Sequence, residues 1–566
     1  MRSKIILTTL KTTLFVLFLI LATIGGKTFA QTSNFVENHP DGSQTLRGHV
    51  PADVQSAAKT THVNLNQMLD LRVVLPLRNQ TQLDAFLKDL YDSGSQSYAH
   101  FLTPAQFTRA YGPSTDDSNK VKQYLTSRGL VVHDQSPNGL VLDVSGPVVA
   151  VEHAFRVNIN HYKKSDNSEF FATDTDPTIP FSVAGKITGI AGMDNVITFQ
   201  AHNHKHPMTV MTAKIGTGPG GFLAPRDIYT AYNLNSITAN GGGQTIALLE
   251  LDGYLQSDIA AFETYYGLAN VPLENVLIDG FNGNPTSSGG SAEVTLDIQL
   301  LAAFAPGASK ILVYEAKNTT QGWIDEWSRI ASDNQAKVVS CSWGISESYS
   351  STINFDNAIF MQMAAQGQAV FAASGDCGAR DTCSGRKLSV DEPADQPYGT
   401  GVGISKVSLN SNGTYSTEAA SYYSGGGISR YFLIPLYQKN MISKFSLGST
   451  TMRNVPDIAL TADISTAYAF YINGKWGGYW GSSISAPIWA AFLSRVNQGR
   501  ANAGRPVIGF ANPALYQIAK SSDYANDFHD VVTGNNGYYP AVSGYDDATG
   551  LGSFNGSQLF NALVSF

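Results

Sequence analysis

The chain has 566 residues, 14% of them charged, and a formal net charge of -8. A chain this long exceeds one ordinary domain and can bury a core large enough for an enzyme, and without any basic run the acidic balance argues against a nucleic-acid partner. Charge density well below the roughly 25% of average soluble proteins, with 53 glycines and 26 tyrosines, predicts a rigid, loop-rich exported protein.

In chain order, Arg2, Lys4 and Lys11 flank and precede the apolar run "TLFVLFLILATIGG", and "TFA" leads to Gln31. This predicts a signal peptide over 1–30, cleaved after Ala30. The run is shorter than the roughly 20 residues that span a bilayer, so the mature protein is expected to be secreted, with no membrane partner. Residues 31–200 form a first unit in which apolar strands ("LRVVLPL", "LVLDVSG") mix with amphipathic helices ("QTQLDAFLKDLYDSG", "DDSNKVKQYLTSRG") as an α+β domain. Residues 201–222 turn polar and then rich in Gly and Pro, which predicts an exposed linker open to proteolysis. His202, His204 and His206 alternate in it, but a flexible segment does not preorganise metal ligands.

From 223 to the end the pattern becomes strand, helix, strand. "QTIALLELDGY", "ENVLIDG", "KILVYEA", "AKVVSCSWG" and "QAVFAASGD" are apolar β runs, with helical stretches near 255–268, 291–304, 321–334 and 354–366. The alternation predicts an α/β fold, a doubly wound and mostly parallel sheet with helices on both faces. Chemistry in such sheets gathers at the strand C-terminal ends.

Candidate chemistry follows from what could deprotonate a serine in "GSSISAP". Of eleven histidines only His529 lies beyond position 206. A Ser/His hydrolase would therefore pair Ser483 with His529, but no G-x-S-x-G surrounds Ser483. The alternative base is a carboxylate. Glu293 and Asp297 stand four apart on one helix face, with no Lys or Arg between 289 and 309; two like charges on an apolar helix are destabilising unless they share a proton or serve a cleft. Asp376 ends a strand in "ASGDCGA", where it is either a turn former or a third acid. Three cysteines are present; export permits a disulfide, and the short separation favours Cys377–Cys383, leaving Cys341 as a buried thiol.

These segments resemble the sedolisins, the serine-carboxyl peptidases, especially the kumamolisin-like members with a large activation prodomain. "VLPLRN", "YAHFLTPAQFTRAYGPS" and "YLTSRGLVV" resemble the prodomain; "EVTLDIQ", "VVSCSWG", "ASGDCGA", "YSGGGISRYF", "VPDIAL" and "GSSISAPIWAA" resemble the peptidase, in the family's order. The resemblance implies a subtilisin-like peptidase domain over 223–566 behind a ferredoxin-like prodomain. It makes Ser483 the nucleophile, Glu293 the general base, Asp297 the acid orienting it and Asp376 the oxyanion-hole acid, with Glu250 and Trp343 extending the carboxylate network. Ser482 stands where the family usually has threonine, and "GVGIS" at 401–405 where relatives read V-G-G-T. It also implies one structural Ca²⁺ held by the side chains of Asp530 and Asp546 and the carbonyls of Val531, Val542 and Gly544, oxygen donors that suit this ion. The expected partners are protein or peptide substrates and the chain's own prodomain acting as inhibitor, in a monomer. Two rivals stay open: a Ser/His hydrolase using His529, and a secreted binding protein without turnover.

Overall fold

The computed structural model describes residues 36–207, 215–349, 351–383 and 385–566; the expected signal peptide lies outside the described residues. Among these, no helix is long and apolar enough to cross a membrane.

The N-terminal domain is built on a four-stranded antiparallel sheet, in the spatial order 189–191, 68–74, 141–147, 131–135. Helices Gln80–Leu90 and Thr115–Ser127 fill the first crossover and Val148–Phe155 the second, the β-α-β-β-α-β order of a ferredoxin-like unit. Strand alternation gives the central strand two faces. Leu69, Leu71 and Val73 pack into the domain's own core with Leu142, Val144 and Phe155, while Arg72 and Val74 face the C-terminal domain. Helix Gln80–Leu90 presents Leu83, Leu87 and Leu90 to the same interface, where they join Phe360, Met361 and Phe510. Polar ties fix the docking: Tyr91 donates to the Ala364 carbonyl at 2.7 Å and accepts from Phe510 N–H at 2.9 Å.

The C-terminal domain contains strands β1 (Thr245–Glu250), β2 (Leu273–Leu277), β3 (Lys310–Glu315), β4 (Val338–Cys341), β5 (Ala369–Ala373), β6 (Thr400–Leu409), β7 (Tyr415–Ala420) and β8 (Ile458–Thr461). They lie in the order β2-β3-β1-β4-β5-β6-β7, with β8 also against β6; all pairs are parallel except β6 with β7. Alternate residues feed two cores. Ile246, Leu248, Ile311 and Val313 pack with helices α1 (Gln256–Tyr266), α2 (Ser288–Phe304) and α5 (Ser482–Asn502). Ala247, Leu249, Leu312 and Tyr314 pack with α3 (Thr320–Asp333) and α4 (Ile353–Ala365) and, through them, with the N-terminal domain. The chain leaves β1 outward to β2 and later returns to β4 on the other flank. The β1/β4 junction is therefore the switch point beside which a doubly wound sheet places its site.

Candidate active site

The site assembles where α5 begins. Gly481 precedes it with φ of 136°, and a Cβ there would stand 2.3 Å from the His202 carbonyl oxygen and 2.5 Å from Asp376 Oδ2; glycine is needed for backbone and carboxylate to approach this closely. The helix opens at Ser482, so Ser483 lies in the first turn, where N–H groups have no intrahelical acceptor. Pro487 falls in the second turn, because the helix starts at Ser482. Its missing N–H leaves the Ser483 carbonyl without the usual i+4 donor.

Asp376, just past β5, is held by this helix start: Ser482 N–H and Oγ–H both donate to its Oδ1, at 2.7 and 2.8 Å. Its Oδ2 is left facing the cleft. Glu293 and Asp297 project from α2, a helix buried on nearly all sides. Burial and the neighbouring Asp297 raise the Glu293 carboxyl well above the usual range; burial and Glu250 do the same to Asp297. Glu250, at the end of β1, is raised first by burial, against the Trp343 indole N–H that donates to its Oε2 at 2.9 Å across the switch point. Ser483, Glu293, Asp297, Asp376, Glu250 and Trp343 therefore meet in one buried cluster.

The segment after the prodomain occupies this cluster, which corrects the expectation of an exposed linker over 201–222. Gln200–Ala201 pair antiparallel with Trp343–Gly344, and His204–Lys205 with Tyr479–Trp480; His202 N–H donates to Ser342 O at 3.1 Å and His206 N–H to Gly478 O at 2.8 Å. Two strand edges with unpaired backbone groups take an extended peptide as an added strand. Residues 208–214 of the linker lie outside the described residues. The His202 carbonyl oxygen accepts from Ser483 N–H at 3.2 Å and from Ser483 Oγ–H at 2.5 Å. Glu293 Oε2 accepts from Asn203 Nδ2 at 2.9 Å. Ser483 thus donates to the His202 carbonyl instead of to Glu293, while Glu293 accepts from the Asn203 side chain.

The three linker histidines diverge to different partners. The His202 ring is buried 3.2 Å from Asp391 Oδ1; burial disfavours its cation, but Asp391, Asp376 and Asp381 push it up to about 10. His204 stacks on Trp480 and His206 meets the edge of Phe222. Asp391, Asp381 and Trp480 were not singled out from sequence. Their role depends on a peptide lying beside them, for which no local pattern exists, although the acidic run "SVDEPADQ" was a visible signal.

The remaining candidates are placed as follows. Cys377 and Cys383 are disulfide-bonded, with Cα atoms 4.9 Å apart, closing the loop after Asp376; Cys341 is free and buried. His529 makes no hydrogen bond to Ser483: its ring stacks on Tyr415 at 3.8 Å, and burial lowers it to about 4. Asp530 accepts from Gly544 N–H at 3.0 Å and Ser543 Oγ at 3.1 Å, and Asp546 from Val542 N–H at 2.9 Å, so both carboxylates turn to the loop carrying Val542 and Gly544, with Val531 buried beside Asp530. Burial raises Asp546 to about 7; burial and Asp546 raise Asp547 well above the usual carboxyl range, and both Asp547 oxygens lack a hydrogen-bond partner. Asp530 and Asp546 already accept hydrogen bonds from the loop's own donors, and among the described residues no three His, Cys, Asp or Glu side chains group as metal ligands, so a hard dication here would rest on two carboxylates and backbone carbonyls.

Comparison with known proteins gives the family. The Pro-kumamolisin activation domain family matches residues 55–196 and the subtilase family matches 283–513, which defines a serine-type peptidase of subtilisin-like fold made with an activation domain. Kumamolisin from Bacillus sp. (strain MN-32) is 31% identical over 92% of this chain and 96% of its own. Xanthomonalisin from Xanthomonas sp. (strain T-22) is 30% identical over 89% of this chain and 66% of its own. A solved Pseudomonas sedolisin, a serine-carboxyl proteinase complexed with two molecules of pseudo-iodotyrostatin, superposes with a TM-score of 0.56 at 28% identity, covering 62% of this chain and 99% of that one. The chain belongs to the sedolisin family, and is a zymogen peptidase of that family.

Proposed function

We propose that the protein is a secreted, acid-active endopeptidase that uses Ser483 as nucleophile, Glu293 as general base, Asp297 to orient it and Asp376 as oxyanion acid, and that it frees itself by cutting His202–Asn203. The observation that carries this is the His202 carbonyl held at both the N–H and the hydroxyl of Ser483. In the reaction Ser483 Oγ bonds to the His202 carbonyl carbon while its proton passes to Glu293. The tetrahedral oxyanion is met by Ser483 N–H and by a proton on Asp376 Oδ2, the oxygen that Ser482 leaves free. Glu293 then returns the proton to the Asn203 amine as the C–N bond breaks, and water repeats the sequence on the acyl-enzyme.

Asp376 must be protonated to donate, while Glu293 must be ionised to accept. The proposed optimum is acid, on the order of pH 3 to 5 from carboxyl reference values; because burial and Asp297 raise the Glu293 carboxyl, the Glu293–Asp297 pair accepts by sharing one proton between its two carboxyls. Asp391 at the His202 ring favours a basic residue before the cut bond. Because the peptide enters from the prodomain and leaves past Lys205, the cleft runs on in both directions, which supports internal cleavage over tripeptide release. Secretion rests on the first thirty residues. Asp530, Asp546 and the carbonyls of Val531, Val542 and Gly544 would hold one Ca²⁺, which supplies charge compensation to the loop and takes no part in the reaction.

Acidifying purified precursor tests this: wild type is expected to yield a new N-terminus at Asn203, and Ser483→Ala to stay uncut. A Ser483→Ala precursor that matures by itself would refute self-processing.

A further inference from the structure

Beyond the cut bond, the geometry points to Trp480 as a specificity residue: its indole is the binding shelf for a flat side chain two positions after the scissile bond, an inference that rests on the catalytic reading above. Trp480 immediately precedes the Gly481–Ser483 turn, so its ring is tied to the nucleophile's backbone. Tyr423 packs on it with ring centroids 4.7 Å apart, and Phe222, Ala467 and Ala469 complete a small apolar cluster that holds it in place. The linker uses the shelf as a substrate would. His204 lies two residues after the addressed bond, pairs with the Trp480 backbone and stacks its ring on the indole at 4.4 Å and 24°.

The outer edge of the shelf is open, since the His204 side chain keeps 43% of its surface exposed, so rings larger than imidazole fit. The inner edge is not neutral: His204 Nε2 stands 3.2 Å from Asp376 Oδ2, the oxygen assigned the oxyanion proton. A ring nitrogen on the shelf therefore competes for the Oδ2 that must meet the oxyanion, whereas an aromatic side chain without one gains the stacking and leaves Oδ2 to its work. His204 makes the linker a substrate that binds well and is cut slowly.

The test uses matured enzyme and three acid-range peptides identical except at this position, bearing Phe, His or Ala. The Phe peptide is expected to exceed the Ala peptide in kcat/KM by about three- to tenfold, in the range that aromatic pairing supports, with the difference in KM. The His peptide should share the low KM of the Phe peptide and have the lower kcat. Trp480→Ala should bring Phe and Ala together, and Trp480→Phe should keep part of the preference, with the circular dichroism and Tm of each variant reporting that it is folded. Equal rates for Phe and Ala in wild type, or a preference that survives intact in Trp480→Ala, would overturn the shelf. Failure to cut any of the peptides would instead count against the proposed peptidase function.

Discussion

The oxyanion acid is the residue whose role is most open to direct measurement. Asp376 is anchored through Oδ1 by Ser482 and presents Oδ2 to the cleft. Loss of one oxyanion donor costs roughly 10² to 10³ in kcat. Asp376→Ala removes the donor and is expected to fall by that order at acid pH, while Asp376→Asn keeps a donor and should fall far less. Because an amide donates at every pH, Asp376→Asn should also lose the wild-type decline in kcat/KM as pH rises. An Asp376→Asn profile that falls at the same pH as wild type would remove Asp376 from the acid role. Residue chemistry was legible in sequence where a helix spacing placed two acids together, as with Glu293 and Asp297. It was not legible for Asp391 or Trp480, which gain meaning only from a peptide pinned between elements more than a hundred residues apart.

At the scale of elements, docking of the N-terminal sheet depends on one cation. Arg72, 9% exposed, reaches Asp325 at 2.5 Å, Asp143 at 3.0 Å and Asp279 at 3.2 Å, joining strand 68–74 to α3 and to the loop after β2. Removing one partner of a buried pair leaves the others uncompensated, typically at about 3 to 5 kcal/mol; two of these three acids are half-open to water, so the low end applies. Prodomain bearing Arg72→Ala, added in trans to matured enzyme, should inhibit roughly 10²-fold less tightly, that low end converted at 1.4 kcal/mol per decade. Undiminished inhibition would show that the apolar packing and the Tyr91 ties hold the domains without it. The apolar strands β1, β3, β4 and β5 and the four helices between them were readable because each carries a run long and apolar enough to be recognised alone. Helix 104–111 was not, being a short capped segment in which Thr103 and Gln106 set the start, and the hairpin of 468–472 with 475–480 was hidden among glycines and aromatics. The linker was correctly read as rich in loop residues, but its stretch over 201–206 pairs with other strands instead of standing free. Its partners at 342–344 and 478–480 leave no trace in its own composition.

Across the whole molecule, buried acids set the pH at which the fold is stable. Glu250, Glu293, Asp297 and Glu326 are all raised by burial, and Glu315 reaches about 8. The folded state therefore keeps protons that the unfolded chain releases near pH 4. Stability is complete below that value and is lost as pH rises toward 8. The Tm of the uncut Ser483→Ala precursor should fall between pH 4 and pH 8; a rise would mean that these groups are compensated in the native state. Chelation with EDTA at fixed pH should lower Tm further through the Asp530–Asp546 loop, since an ion bound only by the native state stabilises it. An unchanged Tm would argue against the calcium site.

The decisive comparison is between the two groups that could deprotonate Ser483, made by measuring kcat/KM of Glu293→Ala and His529→Ala at acid pH on one peptide. A carboxylate base predicts a loss of about 10⁴-fold in the first, the upper range for general-base catalysis, and a minor loss in the second. A nearly intact Glu293→Ala beside an inactive His529→Ala would contradict it.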